Sequence, residues 1–268
     1  MRVVVHLSDI HFGRVDLTTI GPLTEAIFRV SPDLVAVSGD LTQRARRREF
    51  AAARAFLDGL TFPQLVVPGN HDVPLYNVYA RFVTPLARYR HAITDNLAPV
   101  HRDDEMIVVG VNTARSWTWG EGRINARQVD DVVAHLSGVP RDVIRIVVTH
   151  HPFDLPEGVK EARLLGRAEV AMKQLSAAGA DLFLAGHLHI SHIGHAAERY
   201  DIGNHSALVV QAGTLSIRSR GEEPSFNVLR IERPWISVER LVWNPARAAY
   251  DEAGEARYRH GESGWTKA

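Results

Sequence analysis

The chain has 268 residues, of which 45% are hydrophobic and 23% are charged, and its 31 basic side chains balance 31 acidic ones. This composition is typical of a soluble folded protein with a sizeable core and disfavours a disordered chain. Zero net charge provides no general attraction to nucleic acid or to an anionic membrane, so neither is an expected partner. The lack of cysteine excludes disulfides and thiolate metal sites, and we expect a cytoplasmic location.

Short runs rich in Val, Ile and Leu alternate with longer stretches of helical period, which predicts an α/β fold. Buried strands are predicted at residues 3–7, 34–37, 65–67, 107–111, 144–148, 182–185, 208–211, 227–231 and 237–242. Helices are predicted at residues 19–30, 46–60, 75–89, 126–136 and 167–178, with Asn125 as the N-cap of the fourth. From residue 207 onward strands follow one another without helices, which indicates an antiparallel portion and two packed mixed β-sheets flanked by helices.

The domain organisation follows from what interrupts the chain. The sequence contains no linker, low-complexity segment or fixed repeat, so we expect residues 1–245 to form a single domain. Residues 1–8 read as a strand and not as a secretion signal, and no run is apolar for the roughly eighteen residues that a membrane-spanning helix needs. Residues 246–268 show no clear apolar period, and we expect them to form a loosely held C-terminal tail.

Polar clusters follow five of the predicted strands. They are Asp9-Ile10-His11, Gly39-Asp40, Gly69-Asn70-His71-Asp72, Thr149-His150-His151-Pro152 and Gly186-His187-Leu188-His189. Because the loops beyond the carboxyl ends of strands form the ligand crevice of α/β sheets, all five clusters can point at one place. Each cluster alone is explained by a helix cap or an ordinary polar residue, but five in this order indicate a shared metal site.

The residue types in these clusters indicate the metal and its chemistry. Asp, His and Asn without Cys suit divalent or mixed-valence ions such as Mn, Fe, Zn or Co. Two such ions bridged by one carboxylate can activate a hydroxide and stabilise both oxygens of an in-line displacement at phosphorus. Asp40 is the candidate bridge, and the expected cofactors are therefore two metal ions.

Taken together, these motifs resemble the signature of the calcineurin-like metallophosphoesterase superfamily, from the first strand to His189. The resemblance implies an αββα sandwich and two metal positions joined by a bridging hydroxide. It implies that one metal is held by Asp9, His11, Asp40 and His189, and the other by Asp40, Asn70, His150 and His187. It also implies that His71 binds no metal but stabilises the transition state or protonates the leaving oxygen, a task suited to an imidazole near neutral pH.

The resemblance leaves some neighbouring residues without a fixed role. His150 is favoured over His151 as the ligand, because the Pro two residues further on matches the His-x-Pro pattern of the family. His151 then supports a ligand, faces the substrate or merely lines a loop. Asp72 is expected to cap or turn the chain. Where protein serine/threonine phosphatases of the superfamily carry an Asp that supports the catalytic His, this chain has Gln43, which disfavours a protein-phosphatase function.

Among members of the superfamily, the motifs are most similar to a compact bacterial class that includes cyclic-nucleotide phosphodiesterases and glycerophosphodiesterases. Lipid A pathway hydrolases are disfavoured because they typically carry an Arg where this chain has His71. We therefore predict a phosphodiesterase of a small phosphate ester, with a 3',5'-cyclic nucleotide as the lead candidate. A phosphomonoesterase or nuclease on the same metals is the alternative, and a non-catalytic scaffold is disfavoured by the complete ligand set. The oligomeric state stays open, with a homodimer among the options.

Three further features bear on the substrate pocket. The first is the run Arg44, Arg46, Arg47 and Arg48, which either forms a solvated face, the favoured reading, or binds phosphate. The second is the segment of residues 116–120, where Trp117 and Trp119 either stack on a base or anchor the loop in the core. The third is the pair Arg218 and Arg220, further anion-binding candidates for which a surface position is favoured.

Overall fold

The computed structural model describes residues 1–118, 120–159, 164–202, 206–217, 221–261 and 264–268. The strands in this part of the chain are β1 (Arg2–Leu7), β2 (Leu34–Val37), β3 (Gln64–Val66), β4 (Val100–Arg102), β5 (Met106–Gly110), β6 (Ile144–Val148), β7 (Leu182–Ala185), β8 (His192–His195), β9 (Leu208–Gln211), β10 (Ser225–Glu232), β11 (Trp235–Asn244), β12 (Ala249–Gly261) and β13 (Gly264–Lys267). The α-helices are α1 (Ile20–Val30), α2 (Arg47–Asp58), α3 (Val78–Val83), α4 (Ala87–Ala92), α5 (Ala126–Leu136), α6 (Ala168–Ala177) and α7 (Ala196–Arg199), and short 3-10 turns cover Leu17–Thr19 and Asn70–Asp72.

The strands form two mixed sheets. The described strands of the first sheet are ordered β13-β12-β11-β10-β1-β2-β3, with β1, β2 and β3 parallel and the other neighbours antiparallel. Those of the second sheet are ordered β4-β5-β6-β7-β9-β8, with a parallel centre from β5 to β9 and antiparallel edges. A parallel centre places the ends of several strands along one edge, where loops can build a common site.

The two sheets stack face to face between layers of helices. In β1, Val3, Val5 and Leu7 face the cluster that packs on α1 and α2, whereas Val4 faces an apolar layer shared with strands of the second sheet. This alternation follows from the two-residue period of a strand. Helices α5 and α6 cover the outer face of the second sheet. The prediction of two packed mixed sheets flanked by helices is confirmed.

Most predicted elements are present within a few residues of their expected bounds. All nine predicted strands occur, and Asn125 caps α5 as expected, with its Oδ1 accepting from the Gln128 N–H at 2.9 Å. The single helix predicted at residues 75–89 is wrong, because α3 ends at Val83 and α4 begins at Ala87. Pro85 lies in this break, and proline cannot donate the backbone hydrogen bond of a helix interior.

The prediction of a loosely held tail at residues 246–268 is also wrong. Within the described residues, β12 and β13 extend the same sheet that contains β1. Trp265 is fully buried, and its Nε1–H donates to Asp181 Oδ1 at 3.2 Å. The apolar period was absent because most side chains at residues 252–257 are exposed on both faces of β12, so no alternation marked the strand.

Among the helices of the described residues, none is both long and apolar enough to cross a membrane.

Candidate metal centre

The predicted site residues lie together at the carboxyl ends of five strands. The loops after β1, β2 and β3 carry Asp9, His11, Asp40, Asn70 and His71. The loops after β6 and β7 of the other sheet carry His150, His187 and His189. His150 Nε2 lies 3.0 Å from Asn70 Oδ1, so the loops of the two sheets meet at this point. The site is therefore assembled across the sandwich.

The first set of converging atoms, which we name the Asp9 group, consists of Asp9, His11 and His189. His189 Nε2 lies 3.1 Å from Asp9 Oδ1, and His11 Nε2 lies 3.5 Å from the same oxygen. The two imidazole nitrogens are 3.1 Å apart. Ligand atoms at about 2.1 Å from a tetrahedral metal are separated by about 3.4 Å, so this triangle has the dimensions of a metal-ligand cage.

The second set, which we name the Asp40 group, consists of Asp40, Asn70, His150 and His187. Asn70 Oδ1 lies 3.0 Å from both His150 Nε2 and His187 Nδ1. Asp40 Oδ2 lies 3.4 Å from His150 Nε2 and 3.6 Å from His11 Nε2 of the Asp9 group. One carboxylate oxygen therefore faces both groups, which is the position that a bridging ligand needs.

Backbone carbonyls fix the direction of two imidazoles. His150 Nδ1–H donates to the Ser38 carbonyl at 2.7 Å, and His11 Nδ1–H donates to the Thr42 carbonyl at 3.3 Å. Because a carbonyl only accepts, each bond places a proton on Nδ1, so that in the neutral ring the lone pair is on Nε2 and is directed at the site. Both rings are therefore held in the tautomer that a metal ligand requires.

The backbone of the site is strained. Asp9, His11, Asp40, His187 and His189 all have left-handed φ angles, between 51° and 72°. Non-glycine residues in this region cost about 1–3 kcal/mol each and cluster at functional sites. Gly69 allows a close approach of the two loops, because a Cβ there would lie 2.1 Å from Asp40 Oδ1. Interactions elsewhere in the fold offset this cost, and the strained backbone directs these side chains at one point.

The charges of the site favour a bound cation. Asp9 Oδ2 accepts from Ser8 Oγ–H and the His187 N–H, while the buried Oδ1 faces the ring nitrogens of His11 and His189. Burial alone would raise the pKa of Asp9 and Asp40, but the neighbouring imidazoles, led by His189 and His150 respectively, hold both pKa values below their ordinary range. Burial lowers the pKa of His150, but the Asp40 carboxylate outweighs it and raises that pKa to about 9.

Two buried carboxylates that stay ionised need positive charge beside them, which metal ions supply when they displace protons from the imidazoles. The donor set consists of oxygen and nitrogen atoms only, which fits divalent ions of the predicted class. The residues present therefore fit two metal ions.

His71 lies at the edge of both groups. Its ring packs edge-on against His11, with the ring centroids 4.8 Å apart. Its Nδ1–H donates to the Gln43 carbonyl at 2.8 Å, and its backbone N–H donates to Asp40 Oδ1 at 2.8 Å. His71 is thus oriented by the main-chain carbonyl of Gln43, the residue that stands where the protein phosphatases carry an Asp. The potential ligand atoms of His71, His11 and Asp40 also lie close to one another, so these distances alone do not separate His71 from the ligands. The prediction that His71 binds no metal therefore rests on the family resemblance.

Sequence reasoning left two buried residues of the site undecided. His151 is not a loose loop residue, because its Nδ1 lies 2.9 Å from Thr113 Oγ1 and its ring centroid lies 4.6 Å from that of His187. Asp72 accepts from the backbone N–H groups of Thr42 and Gly69 at 2.9 and 3.0 Å, so it ties the loops after β2 and β3 together. Burial and the Asp40 carboxylate raise the pKa of Asp72 to about 6.

The arginine and tryptophan residues that the sequence offered as parts of the substrate pocket differ in their positions relative to the site. Arg44 is half-buried beside His71, in a pocket of 130 Å³ that both residues line together with Asn70. Trp117 is 79% exposed and packs on Phe82 with ring centroids 4.8 Å apart, so it does not anchor its loop in the core. Trp119, Arg218 and Arg220 lie outside the described residues.

An αββα sandwich with adjoining Asp and His ligand groups at its strand ends is the arrangement of a dinuclear metallohydrolase. The sequence model described as calcineurin-like phosphoesterase matches residues 2–191. The chain belongs to this family, whose members depend on two metal ions.

Similar proteins place the chain within the family. The chain is 35% identical over 83 residues to glycerophosphodiester phosphodiesterase GpdQ from Enterobacter lignolyticus, a match that covers 26% of this chain and 29% of the relative's length. A dimetal phosphatase from Danio rerio is 13% identical with a TM-score of 0.65, covering 88% of this chain and 95% of the other. A purple acid phosphatase from yellow lupin seeds is 12% identical with a TM-score of 0.66, covering 95% and 53% respectively. The structural similarities establish the fold, and the GpdQ match supplies a phosphodiesterase homologue.

Proposed function

We propose that this chain is a dinuclear phosphodiesterase of small substrates. The observation that carries the proposal is the position of Asp40 Oδ2, within 3.6 Å of imidazole nitrogens in both ligand groups. Asp9, His11, Asp40 and His189 would hold one metal ion. Asp40, Asn70, His150 and His187 would hold the other. When bound, the two ions supply an activated water nucleophile and neutralise charge on the phosphoryl oxygens.

The chain's own residues then position the ester and move the proton. The Gln43 carbonyl holds His71 by its Nδ1–H, which directs the opposite ring nitrogen away from this anchor. From this nitrogen His71 can give a proton to the leaving alkoxide, a contribution of about a hundredfold or more to the rate. Asn70 and Arg44 share the same 130 Å³ pocket and can each donate hydrogen bonds to phosphoryl oxygens.

The phosphodiester preference rests on the family resemblance and on the GpdQ match. A 3',5'-cyclic nucleotide is our lead candidate for two reasons. The pocket is small. The exposed Trp117 is next to Thr118, and the Thr118 carbonyl accepts a hydrogen bond from Arg81, a residue of the pocket wall. An exposed indole offers a stacking surface for a base. Zero net charge disfavours the nuclease alternative.

The test compares a diester with a monoester. Protein reconstituted with Mn is assayed against bis(p-nitrophenyl) phosphate and p-nitrophenyl phosphate, with His71→Ala as the control. We expect the diester to be preferred, and we expect His71→Ala to keep its metal while losing about a hundredfold in kcat. A monoester preference would replace the proposal with a phosphomonoesterase, and loss of metal from His71→Ala would refute its assigned role. Hydrolysis of cyclic AMP and cyclic GMP then tests the lead substrate.

A further inference from the structure

A second cavity adjoins the catalytic pocket and is lined mainly by arginine. We name it the arginine cavity: it has a volume of 580 Å³, and Arg14, Gln43, Arg44, Arg46, Arg48 and Glu49 contribute to its wall. Arg14 comes from the loop after β1, whereas Arg48 lies on α2. Cationic side chains from two separate segments therefore surround one concave space, which a solvated face of a single helix would not produce.

The positive charge of this cavity is neutralised only in part by its own wall. Glu49 is 4% exposed, and its Oε2 accepts from the backbone N–H groups of Arg44 and Arg46 at 2.8 and 3.3 Å. Within the described residues, the contact of Arg46 Nε with Glu49 Oε1 at 3.8 Å is the one ion pair formed by the four arginines. The wall thus carries four guanidinium groups and one carboxylate, that of Glu49. Glu49 Oε1 faces Arg46, and Glu49 Oε2 caps the start of α2.

The arginine cavity and the pocket of the proposed reaction share part of their walls. Gln43 and Arg44 line both cavities. Gln43 accepts the hydrogen bond that orients His71, and Arg44 lies over the Tyr76 ring with its Cζ 5.5 Å from the ring centroid. A substrate whose scissile phosphorus lies beside His71 can therefore reach past Arg44 into the cationic space.

We propose that the arginine cavity binds a second phosphate of the substrate, carried on one of the two alcohol arms of the phosphodiester. Guanidinium groups bind phosphate through paired, charge-assisted hydrogen bonds, and a dianion relieves the mutual repulsion of four clustered cations. The inference rests on the proposed function and adds to it a preference for phosphodiesters that carry a further phosphate. A cyclic mononucleotide, which has one phosphate, would use the catalytic pocket alone.

A matched pair of chromogenic esters tests this subsite. Thymidine 5'-(4-nitrophenyl phosphate) contains the scissile diester alone, and its 3'-phosphorylated form adds one phosphate while the leaving group stays the same. We expect kcat/KM of the Mn-loaded protein to be about tenfold or more higher for the 3'-phosphorylated ester, mainly through a lower KM. Because the effect is electrostatic, the preference should fall as NaCl is raised. Equal kcat/KM for the two esters would overturn the proposal.

Single arginine variants locate the effect. Arg14→Gln and Arg48→Gln should each lower the ratio of the two kcat/KM values about fivefold. Arg47→Gln is the matched control, because Arg47 is exposed on the same helix, carries the same charge and does not line the cavity. The control should keep the wild-type ratio. If all three variants lowered the ratio equally, the preference would come from the general field of α2 and the subsite would be refuted. Thermal unfolding of each variant checks that the fold is retained.

Equilibrium binding separates this proposal from the proposed function. Calorimetry on metal-free protein compares thymidine 3',5'-bisphosphate with thymidine 5'-phosphate, and we expect the bisphosphate to bind about tenfold more tightly. Tighter binding of the bisphosphate without hydrolysis of either ester would support the subsite and refute the proposed function. Hydrolysis of both esters with equal binding of both nucleotides would support the proposed function and refute the subsite.

Discussion

At the scale of single residues, the two carboxylates of the site differ in what they contact. Asp40 Oδ2 faces imidazoles of both ligand groups, whereas Asp9 Oδ1 faces His11 and His189 of one group. We therefore expect Asp40→Asn to lower the metal content at both positions, because the amide removes the charge that both share. His189→Ala should lower the content of one position by about tenfold or more and leave the other nearly filled.

Elemental analysis after dialysis against limiting Mn measures this difference, expressed as metal ions retained per chain. His91→Ala provides a matched control, since His91 is an exposed histidine of α4 outside both groups. Retention of two ions by Asp40→Asn would contradict the bridging assignment.

Gln43 raises a separate question, because its side chain and its main chain both approach His71. The carbonyl accepts from His71 Nδ1–H at 2.8 Å, whereas the side-chain Nε2 lies 3.4 Å from the same nitrogen. Since Gln43→Ala keeps the carbonyl, we expect it to lower kcat on bis(p-nitrophenyl) phosphate by less than about tenfold, against about a hundredfold for His71→Ala. Equal losses in the two variants would show that the side chain orients His71.

The candidate ligands of the site were predictable because each has a residue type and a place after a strand. Asp40 and Asn70 could be named from the sequence alone, and the structure brings both into the Asp40 group. The anchor of His71 could not be named, because a backbone carbonyl has no signature in the sequence. The role of His151 depended on its contact with Thr113, a residue 38 positions away.

At the scale of elements, an ion-pair cluster joins the loop after β6 to β8 and α7. Asp154 Oδ1 accepts from Arg199 Nε–H at 2.6 Å, and its Oδ2 lies 3.1 Å from His192 Nε2. Burial raises the pKa of Asp154, but the hydrogen bonds from His192 and Arg199 outweigh it and hold the pKa below its ordinary value. Asp154 therefore stabilises the fold when ionised.

This cluster predicts a pH-dependent loss of stability. Because the folded-state pKa is depressed, the contribution of Asp154 is complete above its unfolded pKa of about 3.9 and is lost as the pH falls through the folded value. Asp154→Asn should lower the free energy of unfolding by about 1–3 kcal/mol at pH 7. Urea titrations at pH 7 and near pH 3 measure the difference, which should shrink at the lower pH. A loss independent of pH would mean that the carboxylate charge contributes nothing.

The same region shows which elements escape prediction. Residues 192–195, the sequence His-Ile-Gly-His of β8, alternate too weakly to indicate a strand. Gly194 is required there because a Cβ would lie 2.2 Å from Asp154 Oδ2. Strands with a buried apolar run, such as β2 and β6, were predicted to within a residue because burial on both faces fixes their composition.

At the scale of the whole molecule, the metal centre depends on how the two sheets pack. Asp9, Asp40 and Asn70 follow strands of one sheet, while His150 and His187 follow strands of the other. Neither half alone contains a complete ligand group. The apolar layer between the sheets includes Val4 in the middle of β1, Val148 at the end of β6 and Trp265 of β13. Residues distant from the site therefore help to hold its halves together.

Trp265 is the residue through which the C-terminal strands join this layer. Its side chain is fully buried, and its Nε1–H donates to Asp181 Oδ1, while Asp181 Oδ2 accepts from the Arg145 N–H of β6. The last strand of the first sheet is thereby tied to two strands of the second. We expect Trp265→Ala to lower the free energy of unfolding by about 3–5 kcal/mol, because it opens a cavity and leaves a carboxylate oxygen without its donor.

Trp265→Phe helps to separate these two effects, because it removes the hydrogen bond to Asp181 but keeps an aromatic ring in the layer and so opens a smaller cavity than Trp265→Ala. This variant should lose about 1–3 kcal/mol, and urea unfolding followed by far-UV circular dichroism measures both changes. A loss below about 1 kcal/mol in Trp265→Ala would contradict the buried position of Trp265, because substitutions of exposed residues change the free energy of unfolding by amounts of this size. The sequence pattern of the preceding strand, residues 249–261, gave no hint that the C-terminal strands belong to the fold, because a largely exposed strand contributes through its few buried aromatic residues and not through its period.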